Sequence, residues 1–337
     1  MGLSGKDRDA GAAFSAAEQH PLKDRLTVNR AGHAKAPAYS ELLRLCLDSM
    51  IDISGPHCLM YFNGGFRDFT IDLFDHPEVS DPDAAGTLRE KCVRAFRRFI
   101  LVYERMEWLL DPLRTGGLIR IALRTGTGLI VCGRVRAEEY IVGMSSPVRA
   151  PDRVDWRLCE LITAIRTGLY ELPDENPGGY HGRRSESAQS AEITFRRAPD
   201  ASPSVQELLK EQLNVNDLHY VALIRDRQPV MEADVFNSSA VSHLFNSITT
   251  AHRRTLYGEF AHRGRGDLAH LHRAVRDIIG GPAERVVLDL ESGAIYVERL
   301  GSSNDLLLGV TLEQSAVESC DGRIARLRGQ LKDTPET

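Results

Sequence analysis

Five histidines, His243, His252, His262, His270 and His272, form the densest group of metal-ligating side chains in the sequence. Imidazoles hold zinc only where several converge as neutral rings. His270 and His272 stand two residues apart, a spacing that points them to different faces of a helix, so the group is read as solvated rather than as a metal site. Cys46, Cys58, Cys92, Cys132, Cys159 and Cys320 lie singly among apolar neighbours, with no short paired spacing for zinc or a redox disulfide. Buried thiols are expected. Gly126-Thr127-Gly128 and Gly264-Arg265-Gly266 lack the strand-to-helix setting and the Gly-Lys-Ser/Thr ending with which a phosphate loop cradles its ligand; they read as turns. Cys92, His57 and Asp68 have the side-chain types of a catalytic trio, but no nucleophile motif joins them. No catalytic residue, cofactor or metal is assigned, and a non-enzyme is expected.

The arginines carry the stronger signal. Arg94, Arg97 and Arg98 in one helix and Arg253, Arg254, Arg263 and Arg265 in another present planar guanidinium groups suited to bidentate contacts with a partner's carboxylates. The plainer reading is a solvated face with intrachain pairs such as Arg94 with Glu90, since exposed ion pairs contribute little. Arg94, Arg97, Arg98, Arg253 and Arg254 are the expected partner contacts. Across 337 residues, 42% hydrophobic and 26% charged, the formal net charge is −5. That balance gives no global attraction to nucleic acid or to an anionic membrane. No apolar run reaches bilayer-spanning length and the N-terminus lacks the apolar core of a secretory signal, so a soluble, cytoplasmic protein is expected. Arginine greatly outnumbers lysine, in keeping with a GC-rich bacterial source.

The elements that must position these residues occur twice. Ile121 to Val131 and Val286 to Tyr296 repeat one pattern of strand, glycine turn and strand, each followed by a third apolar run, Tyr140 to Met144 and Leu306 to Val310. Such a long period points to duplicated domains rather than a solenoid. In the first copy Leu42, Leu43, Cys46, Leu47 and Met50 recur at helical spacing, Cys58 to Phe62 and Phe66 to Leu73 read as a hairpin, and Thr87 to Leu110 forms an amphipathic helix with a basic outer side. A helix from Val154 to Tyr170 closes it. The second copy has a helix from Val205 to Leu213, a hairpin from Tyr220 to Val235, a helix capped near Asn237-Ser238-Ser239, an interruption at Gly264-Arg265-Gly266, a helical stretch from Leu268 to Ile279 and a last helix from Ser315 to Leu331. Residues 1–36 lack a periodic apolar face and read as a disordered tail. Residues 173–203, rich in Pro, Gly, Ser, Arg and Glu, read as a linker with at most a short strand near Ile193. The expected fold is α+β, with two αββαβββα domains at 37–172 and 204–332, each a five-stranded antiparallel sheet flanked by helices.

This element order, and above all Glu284 to Leu300 followed by Asp305 to Val310, resembles the profilin-like fold of the roadblock/LC7 family. The resemblance covers residues 204 to 330 directly and 39 to 172 through the internal repeat. It implies a non-catalytic regulator or scaffold for small Ras-like GTPases, in which two fused copies form within one chain the dimer that the family builds from two, or a homo-oligomer. A short flexible tether would hold one half near the other at roughly millimolar effective concentration. The alternative is a GAF/PAS-like small-molecule sensor, whose sheet is similar but whose helix order and ligand-covering loops fit less well.

Overall fold

The computed structural model describes residues 20–22, 24–182, 191–197, 202–226, 228–301 and 305–333. Among them the chain is mixed α+β, with six α-helices and twelve strands. No helix among the described residues is long and apolar enough to cross a membrane. Contacts divide the chain into two compact units. Unit 1 comprises the described residues of Met1–Leu101, Arg124–Pro177 and Arg273–Pro282; unit 2 comprises those of Val102–Leu123, Gly178–His272 and Ala283–Thr337. The units are therefore not the contiguous stretches 37–172 and 204–332 expected from the repeat.

The first copy supplies β1 (Thr27–Arg30), α1 (Ser40–Asp48), β2 (Cys58–Asn63), β3 (Phe66–Asp72), α2 (Ala85–Leu110), β4 (Leu118–Thr125), β5 (Leu129–Arg136), β6 (Glu139–Ser145) and α3 (Pro151–Ala164). The second supplies β7 (Thr194–Arg197), α4 (Pro203–Gln212), β8 (Tyr220–Arg225), β9 (Gln228–Asp234), α5 (Thr250–Val275), β10 (Ala283–Leu290), β11 (Gly293–Leu300), β12 (Asp305–Thr311) and α6 (Val317–Asp333). Lengths repeat too. The strands β2 and β3 have six and seven residues, as do β8 and β9; α2 and α5 both have 26; and β4, β5 and β6 have eight, eight and seven, as do β10, β11 and β12.

In unit 1 the strands lie in the order β1-β3-β2-β6-β5, with antiparallel registers such as Cys58 opposite Met144 and Tyr61 opposite Phe69. Gly143 faces α3, where an added Cβ would meet Leu158 at 2.5 Å, and Met144 on the opposite face meets Cys92 of α2 at 3.6 Å between sulfurs. The sheet is thus covered on both faces, which explains why β6 is buried throughout. In unit 2 the order is β4-β10-β11-β12-β8-β9-β7. Gly309 packs on Ile324 of α6 as Gly143 packs on Leu158, while Tyr220, on the other face, lies 5.1 Å from Tyr257 of α5 between ring centroids.

Several expectations require correction. Residues 27–30 of the expected tail form β1, paired with β3 from Thr27 opposite Asp72 to Arg30 opposite Phe69; residues 1–19 lie outside the described residues. Within the expected linker, β7 pairs with β9, Thr194 opposite Asp234, and Gly179 and Gly182 sit so close to Val317 and Ser315 that a side chain would clash. The twelve strands belong to one sheet, of which unit 2 accordingly carries seven strands rather than five, and the five strands of unit 1 include β1. Helix α5 continues through Gly264-Arg265-Gly266; two glycines cost about 1 kcal/mol each, but Tyr257 and Phe260 before them and Leu271 and Val275 after them are buried, and burial of these side chains offsets that cost. Its start is later than expected. A 3-10 turn, Ser239–Phe245, precedes it, and Thr249 caps it by accepting from the His252 amide at 3.2 Å.

Candidate protein-interaction surface

Helix α2 follows from its sequence. Asp81 accepts from the Asp83 amide at 3.1 Å, and Pro82 opens a 3-10 turn that leads into the helix. Its end comes at Asp111-Pro112, where Pro112 cannot continue the hydrogen-bond ladder and Arg114 turns left-handed at φ 54°. Cys92, Ala95, Phe96 and Phe99 face the unit 1 core, and full burial of each phenylalanine contributes about 2 kcal/mol. The remaining surface is determined by that stripe.

Arg94, Arg97 and Arg98 fall on the outer side and are exposed. Arg94 approaches Glu90 at 3.6 Å, an exposed pair that contributes little. Neither Arg97 nor Arg98 has an ionic or hydrogen-bond partner among the described residues. Arg94 and Arg98 are one turn apart, where like charges cost an isolated helix a few tenths of a kcal/mol, so helix stability does not account for them. Leu101, one turn beyond Arg97 and 65% exposed, adds an apolar contact to the basic face. Sequence reasoning passed over Leu101; its position off the buried stripe was the signal. Trp108, 84% exposed, lies on the part of α2 that belongs to unit 2.

The second pair of expected contacts sits elsewhere. Arg254 donates to both oxygens of buried Asp234 at 2.7 Å, and Arg253 is 2% exposed with its guanidinium over the Phe245 ring. Neither belongs to an exposed surface. The arginine that corresponds to Arg254 is Arg89, which pairs with Asp72 and Asp75, so each copy spends one central-helix arginine on its own sheet.

The other chemistry-bearing residues also scatter. His57 bonds the Ile53 carbonyl at 2.9 Å, Cys92 meets Met144, and Asp68 is held by His33 and by the Tyr39 hydroxyl, both at 2.8 Å. These three do not assemble into a catalytic trio, and none was assigned from the sequence. A polar cluster of Tyr61, Glu139, Tyr170 and Arg136 does form, with the two phenol oxygens 3.1 Å apart and Tyr61 donating to Glu139. Burial first and Glu139 second push the Tyr61 phenol far up, and burial followed by Asp68 pushes Tyr39 up to about 12. These phenols are hydrogen-bond donors at neutral pH rather than nucleophiles. Among the described residues no three His, Cys, Asp or Glu side chains gather as a metal site, and all six cysteines are buried thiols. No protein-family model matches the chain, and neither the curated proteins nor the solved structures contain a match.

Proposed function

We propose that the chain is a non-enzymatic regulatory or scaffold protein of the cytoplasm, built from two roadblock-like copies, that binds a small Ras-like GTPase through the outer face of α2. The observation that carries this reading is the exposed, unpartnered pair Arg97 and Arg98 beside Leu101. The matched lengths of the two sets of elements support duplication of one module, with two copies in one chain taking the place of two subunits. A carboxylate-bearing partner would gain bidentate contacts at these arginines and bury the leucine between them. Binding is measured by titration against small GTPases loaded with GDP or with a GTP analogue. Three lost pairs at about 0.5–1 kcal/mol each predict that reversing Arg94, Arg97 and Arg98 to Glu weakens affinity at least about tenfold, with an unchanged melting temperature. Full affinity in that variant would remove the α2 face, and no binding in either nucleotide state would remove the GTPase.

A further inference from the structure

Unit 2 holds a cavity at a place where the two copies differ. About 210 Å³ of space lies between α5 and the sheet, with Val286 of β10, Val297 of β11 and Leu306 of β12 as its floor and Leu268 and Ala269 of α5 as its wall. Val286 and Val297 are 3% and 6% exposed, so the floor is dry and apolar. Leu268 corresponds to Tyr103 by position along helices of equal length and Leu306 to Tyr140 along strands of equal length, while Arg299, opposite Leu306, corresponds to Arg134, opposite Tyr140. Both first-copy tyrosines are buried, at 0% and 5% exposure. The second copy thus has a smaller side chain at two apolar positions, beside an arginine that both copies carry. Leucine for tyrosine removes volume that the surrounding backbone does not fully take back.

Arg299 stands at the lip of this cavity. Its Nε donates to the Ala283 carbonyl at 3.1 Å, which fixes the guanidinium plane, and no acid among the described residues pairs with its terminal nitrogens. The neighbouring charges are committed elsewhere: Arg285 to Glu298 and Asp321, and Glu284 to Arg328 at 3.7 Å. An oriented arginine above an apolar floor matches a ligand with one carboxylate head and a short hydrocarbon body. The geometry points to a site in unit 2 for a small amphipathic carboxylate, its chain in the cavity and its carboxylate on Arg299. This site is independent of the α2 surface and stands whether or not a GTPase binds there.

Sodium octanoate is the probe, with 1-octanol and octanamide as uncharged controls, titrated calorimetrically into the full chain below micelle-forming concentrations. One saturable octanoate site per chain is expected, with a concentration-dependent rise in melting temperature and at least tenfold weaker binding of both controls. Arg299→Met is expected to bring octanoate down to the level of the controls. Leu306→Tyr, which installs the first-copy residue, is expected to abolish binding of all three. Ala269→Leu, at an exposed position on α5, fills the same space with less demand on the fold and is expected to do likewise should Leu306→Tyr fail to fold. No saturable binding by the unaltered chain, equal binding of the controls, or undiminished binding in the folded filled-cavity variant would each overturn the site.

Discussion

At the scale of single residues, the two copies keep the same buried histidine. His57 and His219 each precede the first strand of a central hairpin, and their ring nitrogens meet the carbonyls of Ile53 and Val215 and the amides of Ser146 and Leu312. Their main chains repeat the pattern, His57 N to Met144 O and His219 N to Val310 O. Burial lowers the pKa of both, that of His219 from 6.5 to about 4. The folded state therefore prefers the neutral ring, and between these two values the unfolded chain binds more protons than the folded one. Stability contributed by neutral His219 is complete above pH 6.5 and is lost as the pH falls toward 4, a change of about 3 kcal/mol. Urea titrations across that window are expected to show a shallower dependence on pH in His219→Gln, by up to about 1.4 kcal/mol per pH unit. An unaltered slope would assign the acid sensitivity to other groups. Nothing in the sequence marks these histidines as buried, because each sits in a turn, outside any apolar period.

At the scale of elements, the strands that sequence reasoning left as tail and linker are tied in by a second duplicated device. Strand β1 reads Thr-Val-Asn-Arg and β7 reads Thr-Phe-Arg-Arg, and their threonines stand opposite the matched aspartates Asp72 and Asp234. Arg89 joins Asp72 to Asp75 and Thr27, and Arg254 joins Asp234 to Asn237, which in turn reaches Thr194 at 3.0 Å. Each central helix thereby clamps an edge strand. Removing one partner of a buried pair strands the other charge, at about 3–5 kcal/mol, so Arg254→Met is expected to destabilise by that order. Arg89→Met is expected to cost less, because its side chain is 27% exposed against 12% for Arg254. Denaturant midpoints rank the two, and hydrogen exchange is expected to quicken at Asn29 and Ala31, whose amides face β3, in Arg89→Met before it does in β2. Four residues are too few for an alternating pattern to show, which is why β1 escaped the sequence and β7 was legible only as a possible short strand near Ile193, whereas α2 and both central hairpins were legible from long runs at helical or strand period. The same logic separates the arginines. Arg94, Arg97 and Arg98 fall outside a stripe that phases the whole of α2, while the break at residues 246–249 shifts the phase of α5 and turns Arg253 and Arg254 inward.

At the scale of the whole molecule, neither compact unit is built from one copy alone. Unit 1 includes Arg273–Pro282 from the second copy, where Ile279 packs so tightly on Gly128 that an added Cβ would lie 2.5 Å away, and where the Thr127 hydroxyl donates to the Gly280 carbonyl at 2.9 Å. Unit 2 includes Val102–Leu123 from the first copy, which brings β4 beside β10 and sets Arg120 on Asp289 at 2.7 Å with both side chains almost wholly buried. A carboxylate buried to that degree without its arginine would cost several kcal/mol, and the turn without Ile279 would expose an apolar surface. The chain divided between residues 183 and 190 into two separately encoded pieces therefore yields an N-terminal piece without part of unit 1 and a C-terminal piece without β4. Each piece alone is expected to lack a cooperative thermal transition. Produced together, the pieces are expected to copurify and to recover the transition of the intact chain, at a midpoint that rises with protein concentration because association now supplies what covalent connection supplied before. A cooperative transition of unchanged midpoint in either piece alone would mean that the exchanged segments are accessory, and that one copy suffices to close a unit.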